Sequence, residues 1–506
     1  LKSMHARNAE QMTNDDARLL LIVADGVRPD VLQEEMDAGN VPALDRMRRE
    51  GSLHTVTSSF PSVTGPAYVP FLMGQHPASV GLPGLRWFDR SRTLRRARGN
   101  ARSYAGIDIW QLDRDVSRDA PTLFELARPS LSAMSMLSRG ANVANVGRSL
   151  LWSLRGAIPH FRGDLDGWRD VERAATRAFF RQFERKRPRF STIAITSPDK
   201  LAHKCGATSP RVRASLRDID RVVTRAREIA TSGGWNERLH IWIVADHGHA
   251  AVAQHDDLHT WLEERVLRTH SHPKLSHGDG DVALMVGGNA MAHLYLEPAR
   301  RARVWWPSLD ARWRSLHDAL LQRESVDLVA VALDKSTVRV SHAERGSATI
   351  EVSHEGERMD LAMDVAMDAS TDVGVSTTHR YSYNIEHGDP LGLGQSLVRL
   401  NSTDAWNACA NSPYPDALVQ LALLACAPTS GDLIVSAAPG WDLRARFEPV
   451  PHVSTHGALT RDQMLVPLLT DTPMAGIPRR TADLMPSALK ALGLPVPGGL
   501  LGQSFF

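Results

Sequence analysis

The sequence predicts an α/β fold: a mostly parallel central sheet flanked by helices on both faces, carrying an inserted antiparallel β-rich subdomain. Three observations predict it. Short continuous apolar runs in "RLLLIVADG", "FSTIAITSPD" and "RLHIWIVADHG" alternate with helix-patterned segments, the grammar of buried parallel strands and crossover helices. From about 301 to 400 the pattern changes to apolar/polar alternation, as in "STVRVSHAERGSATIEVSHEGERMDLAMD", with turns expected at Arg345-Gly346 and Glu355-Gly356. Finally, 506 residues with 42% apolar and 23% charged side chains are ordinary for a globular chain with a large core.

From the N-terminal side, the first apolar run ends at Asp25-Gly26, and "VPALDRMRREG" reads as a helix closed by Gly51. In "FPSVTGPAYVPFLMG", residues 60–74, Pro66 suits a first helical turn and Pro70 should bend the helix beyond it, which places Thr64 at or just before an N-cap. The stretch 131–161, weakly polar but broken by Arg139, Arg148 and Arg155, reads as a surface helical cap, with a lipid-facing patch as the sharper alternative. A basic helix over 171–187 precedes the second apolar strand, and a helix over 211–230 precedes the third. Gly287-Gly288-Asn289 marks a turn between strands. After the inserted subdomain, the helix "YPDALVQLALLACA" and the strand "GDLIVSAAPG" are expected to resume the core, and "HVSTHGALTRDQMLVPLLT" to bring a loop back to it. The expected division is an α/β core over 17–300 with a helical cap near 120–165, the insertion over 301–400, and the rest of the core over 401–506.

Composition excludes some partners. With 59 basic against 57 acidic residues there is no general field to attract nucleic acid or membrane. Three cysteines, Cys205, Cys409 and Cys426, permit at most one disulfide. No run has the length of a spanning helix, and "LKSMHARNAEQMTNDDAR" lacks a signal-peptide core, which leaves the compartment open.

Asp25, Asp199 and Asp246 each follow an apolar strand, where the carboxyl ends of an open α/β sheet line the ligand crevice. Histidines accompany them: His203 four residues after Asp199, His247 beside Asp246, and His456 in the glycine-flanked "STHGAL". Carboxylate oxygens and neutral imidazoles are natural ligands for zinc or a related divalent ion. Thr64 has two readings, a hydroxyl that caps exposed amides or a nucleophile activated beside a cation. Gly65 lets the backbone pass close to a ligand.

In this order, "VADGVRPD", "FPSVTGPAYVPFLMGQHPASVGLPG", "SPDKLAHKCG", "VADHGHA" and "STHGAL" resemble the alkaline phosphatase superfamily, specifically its type I phosphodiesterase and nucleotide pyrophosphatase branch. The resemblance spans residues 21–457 and implies hydrolysis of a small-molecule phosphoryl ester with two divalent ions, zinc first, manganese or iron as alternatives. It implies one ion held by Asp25, Asp246, His247 and the Thr64 hydroxyl, and another by Asp199, His203 and His456. It makes Thr64 the nucleophile of an in-line displacement through a covalent phosphothreonine. The branch commonly carries asparagine three residues after that threonine, and here Ala67 stands there. The Gly65 amide is then an expected oxyanion donor, with Tyr68 and Asp389 as expected substrate contacts.

His249 and His277 are weighed as supporting or substrate contacts against ordinary core or solvated histidines, Arg28 as a carboxylate partner, and Cys205 as packing. The arginine-rich 90–102 reads as a solvated loop before an anion-steering rim. Alternatives to a phosphodiesterase are a phosphomonoesterase, a phosphonate hydrolase, or a phosphoryl transferase on lipid or sugar head groups. From another class comes a metal-stabilised binding protein. A sulfatase is disfavoured, because Thr64-Gly65-Pro66-Ala67-Tyr68 lacks both the oxidisable residue and the arginine of the C/S-x-P-x-R pattern.

Overall fold

The computed structural model describes residues 17–91, 100–105, 107–272, 280–354, 379–444 and 451–506. Arg18–Ala24, Phe190–Ile195 and Leu239–Val244 are almost wholly buried strands, which is why they read as continuous apolar runs rather than alternating ones. They lie side by side and parallel, with Val23 level with both Ala194 and Val244. Ser130–Ala133 and Ala144–Val146 extend the parallel sheet on one side. On the other, Leu465–Thr470 adds antiparallel to Leu239–Val244, and Ser52–Thr57 antiparallel to that, completing seven strands. The expected mostly parallel sheet is present, and the residues after Ala24, Thr57, Ile195 and Val244 all leave from one edge.

A second sheet has nine strands, ordered Thr269–Ser271, Val282–Gly287, Met291–Leu296, Leu433–Ala437, Val326–Ala332, Thr337–His342, Gly346–His354, His379–His387 and Leu397–Leu400. The hairpin turning at Arg345-Gly346 is as expected, whereas Glu355-Gly356 lies outside the described residues. One expectation is corrected. Leu433–Ala437 does not resume the first sheet but sits between Met291–Leu296 and Val326–Ala332 in the second, so sheet membership does not change at 300 and 400. The reason is two-sided burial: Ile434 packs in the cluster around the Ala417–Ala425 helix, while Leu433 and Val435 pack in the cluster of Leu316 and Leu320. A strand buried on both faces carries the same apolar signature in either sheet.

The stretch 131–161 is also corrected. Its first half supplies two strands of the central sheet, and only Leu150–Arg162 is helical. The helix after Thr64 starts later than its prolines suggest, at Tyr68, with Ala67 at the N-cap. Gly65 has φ of +100°, which no helical residue adopts, so a helix cannot begin before it.

Candidate active site

A cavity of about 240 Å³ opens at the carboxyl edge of the central sheet, and its lining includes Thr64, Asp199, Lys200, His203 and His456. Asp25 and Asp246 follow adjacent strands, and Asp246 Oδ1 accepts the Gly26 amide at 3.3 Å. Asp199 and His203 lie four residues apart on the Ser197–Cys205 helix, hence on one face. Cys205 ends the same helix, and all three cysteines are free. His247 and His249 precede the strand Ala250–His255, which pairs with Ser454–Thr455 and so delivers His456 beside them. The rings of His247 and His456 stack with centroids 3.6 Å apart.

Three imidazoles share one orientation. His203 Nδ1 lies 2.9 Å from the Ser454 carbonyl, His247 Nδ1 3.0 Å from the Gly248 carbonyl, and His456 Nδ1 2.9 Å from the Ser62 carbonyl. A carbonyl only accepts, so each Nδ1 carries the proton and each Nε2 keeps its lone pair. These nitrogens face carboxylates: His203 Nε2 is 3.3 Å and His456 Nε2 3.7 Å from Asp199 Oδ1, and His247 Nε2 is 3.5 Å from Asp25 Oδ1 and 3.6 Å from Asp246 Oδ2. Lone pairs facing carboxylate oxygens in a buried space require positive charge between them. Asp246 Oδ2 is buried without a hydrogen-bond partner among the described residues, and two groups can each gather around one ion: Asp25, Asp246 and His247, and Asp199, His247, His249 and His456. The donor set, with backbone carbonyls orienting the rings, therefore fits two divalent cations.

The electrostatics agree. Burial, then Asp246 and Asp199, pushes Asp25 well above the usual carboxylate range, and burial with Asp199 raises Asp246 to about 7. Burial also acts to raise Asp199, but His203 and His249 outweigh it and hold that carboxylate low. Burial lowers His247 and His249 to about 3, so both are neutral donors at ordinary pH.

Thr64 does not cap the helix. Its Oγ1 lies 2.9 Å from His247 Nε2 and 3.4 Å from Asp25 Oδ1, inside the Asp25, Asp246 and His247 group. Gly65 carries the adjacent amide. Tyr68 is fully buried against Phe71 rather than lining the cavity, and its hydroxyl has no hydrogen-bond partner among the described residues. Asp389 is not brought to the site at all: its carboxylate accepts from Tyr383, Gly392 and Gly394 in a turn of the second sheet. Arg28 pairs with Asp30 at 2.8 Å and donates to the His249 carbonyl. His277 and residues 92–99 of the arginine-rich run lie outside the described residues.

Sequence reasoning underrated His249, whose Nε2 is 2.9 Å from Asp199 Oδ1, although "DHGH" places it two residues beyond a proposed ligand. Glu172 was missed. Its buried carboxylate accepts from the Thr196 and Ser197 amides and the Ser197 hydroxyl, capping the helix that carries Asp199 and His203. Nothing local marks it. The Gly287-Gly288-Asn289 turn is confirmed, but it also borders the cavity, since a Cβ on Gly288 would lie 2.9 Å from His456 Nδ1.

Comparisons with known proteins converge on one family. The model of the family "Type I phosphodiesterase / nucleotide pyrophosphatase" matches residues 19–390. Ectonucleotide pyrophosphatase/phosphodiesterase family member 7 of Homo sapiens is 26% identical over 243 residues, 48% of this chain and 50% of that protein. Its Rattus norvegicus counterpart is 23% identical over 236 residues, 46% of this chain and 50% of that protein. The chain thus spans about half the length of the curated relatives it matches. Phosphonoacetate hydrolase from Sinorhizobium meliloti 1021, solved with phosphonoacetate, shares the fold with a TM-score of 0.54 and 14% identity, over 95% of this chain and 96% of that chain. Murine ectonucleotide pyrophosphatase / phosphodiesterase 5 does so with a TM-score of 0.54 and 12% identity, over the same shares. Because the matching model covers well over half of the sequence, the chain belongs to the type I phosphodiesterase / nucleotide pyrophosphatase family of hydrolases, within the alkaline phosphatase superfamily.

Proposed function

We propose that the chain hydrolyses phosphodiesters with Thr64 as the attacking group and two divalent cations, zinc first, as cofactors. The observation that carries this reading is the Thr64 hydroxyl beside three carboxylates, two of them buried, and three lone-pair imidazole nitrogens at the wall of an open cavity. Asp25, Asp246 and His247 would hold one ion and Asp199, His203 and His456 the other, with His249 turned to the second group. When bound, such ions neutralise phosphoryl charge and lower the pKa of nearby hydroxyls.

The chain's own residues do the rest. Thr64 Oγ1 gives up its proton and forms the new bond to phosphorus as the bond to one alcohol breaks and that alcohol takes up a proton, leaving a covalent Thr64 phosphoester that still carries the retained organic substituent. Water then cleaves that ester and restores the hydroxyl. The Gly65 amide serves a non-bridging oxygen. Lys200, which lines the same cavity with its ammonium 4.2 Å above the Trp168 ring, supplies a positive contact to the phosphoryl group, to which Ala67, unlike the branch's asparagine, cannot donate. The cavity lining includes both apolar groups, Leu85, Pro159, Leu165 and Trp168, and cationic ones, Arg86, Lys200 and Lys204. That mixture favours a substrate with an anionic phosphoryl group and an organic substituent, a diester over a monoester.

The test compares p-nitrophenyl diesters and monoesters for wild type, Thr64→Ala and Lys200→Ala, with metal content measured on the same samples. Full diester activity in Thr64→Ala removes the nucleophile assignment. Wild type that binds no divalent metal and cleaves neither ester removes the hydrolase reading.

A further inference from the structure

The Leu150–Arg162 helix presents an unusual surface. Leu151, Leu154 and Ile158 are 73%, 58% and 61% exposed, and their i, i+3, i+7 spacing puts them on one face. Trp110, 42% exposed, lies on the Ile107–Gln111 turn, and Arg148 binds the Ile109 carbonyl at 2.8 Å just before the helix begins. Other exposed large apolar residues among those described, such as Val266, Val398 and Ile477, occur singly in separate segments.

The opposite face is firmly seated. Trp152 packs against the main core, and a Cβ on Gly156 would lie 3.2 Å from Trp168, so the backbone runs close along the Leu165–Lys186 helix. The apolar face is therefore presented outward by packing rather than by fraying. Its charge has one sign. The helix sequence LLWSLRGAIPHFR contains no acidic residue, while Arg155 and Arg162 are exposed and the Arg155 guanidinium stands 5.5 Å from the Trp152 ring. The surface also continues into the cavity, since Pro159 of this helix and Gly163, Asp164 and Leu165 after it line the space that holds Thr64.

We propose that Leu150–Arg162 is an interfacial helix that seats the chain on an anionic lipid bilayer, with Leu151, Leu154 and Ile158 among the acyl chains and Arg155 and Arg162 at the phosphates. Leucine, isoleucine and tryptophan on a helix whose own charges are basic is the composition of helices that lie in the membrane plane, with Asp108, Asp164 and Asp166 outside the helix at its borders. No helix among the described residues is long and apolar enough to cross a membrane. The cavity mouth then opens beside the lipid surface. This inference holds whatever ester the cavity cleaves.

The experiment is co-sedimentation of the full chain with vesicles of phosphatidylcholine alone or of phosphatidylcholine mixed with phosphatidylserine. Binding is expected to the mixed vesicles, to weaken as salt rises, and to fall about tenfold or more in Leu151→Ser/Leu154→Ser/Ile158→Ser. Because these side chains are already in solvent, that variant keeps wild-type turnover of a water-soluble nitrophenyl diester. Arg155→Glu/Arg162→Glu should lose the preference for the anionic mixture. The proposal is overturned if wild type ignores the mixed vesicles or if the triple-serine variant binds them equally. It is also overturned if ultracentrifugation shows the apolar face occupied by a second copy, with self-association lost in that variant and vesicle binding absent in wild type.

Discussion

Thr64 Oγ1 lies 2.9 Å from His247 Nε2, although 183 residues separate them in sequence. The ring is held for this contact by its Nδ1 hydrogen on the Gly248 carbonyl. Thr64→Ala should lower kcat for a nitrophenyl diester by about a thousandfold or more, whereas Thr64→Ser keeps a measurable fraction. Both variants should bind metal nearly as wild type does, because the carboxylates and imidazoles remain. A small kcat effect with intact metal content counts against Thr64 as nucleophile.

Chelation is expected to remove activity and stability together. Asp25 and Asp246 are buried side by side, and without positive charge both are pushed toward the protonated form. Ions that bind only the folded state add stability by mass action. Differential scanning fluorimetry should therefore show a drop of about 5 °C or more on treatment with chelator, reversed by zinc. An unchanged melting curve in demonstrably metal-free protein argues against two buried cations.

Gly26 tests how tightly the two ligand groups are coupled. It sits at φ +67°, and a Cβ there would lie 2.8 Å from both Cδ2 and Nε2 of His249 and 3.2 Å from the Asp199 Cα. Gly39 has a similar φ, +72°, but nothing within 4 Å. Both alanine variants bear the left-handed strain of about 1–2 kcal/mol. Only Gly26→Ala should also lose metal affinity and turnover, by about tenfold or more. Equal behaviour of the two in metal titrations means the clash relaxes harmlessly.

Acid sensitivity should come partly from histidines outside the metal groups. His76 accepts the Ala78 amide at Nδ1 and donates from Nε2 to the Phe60 carbonyl, and His293 likewise accepts from Gly431 and donates to the Pro83 carbonyl. Burial holds them neutral, lowering His76 to about 3 and His293 to about 4. Folded values below the unfolded 6.5 mean that the unfolded chain binds more protons between them. This stability is present above about pH 6.5 and is lost as pH falls toward about 4 for His293 and about 3 for His76, by at most about 1.4 kcal/mol per unit for each histidine. Urea melts of metal-free protein across this range should show that slope, and His293→Gln should flatten it. A slope unchanged in the variant assigns the loss to other groups.

How far the site could be read in advance differs by residue. Asp25, Asp246 and His247 were legible because parallel strands buried on both faces are continuous apolar runs, and the residues just past the end of such a run lie at the ligand edge. Asp199 and His203 were legible as a pair, since four residues on a helix is one face. Asp389 was misjudged because a carboxylate near glycines looks alike whether it meets a substrate or closes its own turn.

The order of amino acids alone carries the family, the succession of chemical groups along the chain, and the residue types that can hold a cation. These depend on local pattern: burial on two faces and helical period. Tertiary packing was needed to put Leu433–Ala437 in the second sheet, to set Glu172 on the end of the Asp199 helix and to turn His249 to that same aspartate. It also spends three Nδ1 hydrogens on backbone carbonyls, so that three Nε2 lone pairs converge. Apart from the bond of His247 to the neighbouring Gly248 carbonyl, each of these is a contact between segments remote in the chain, set by which surfaces must be buried together, and no local spacing encodes it.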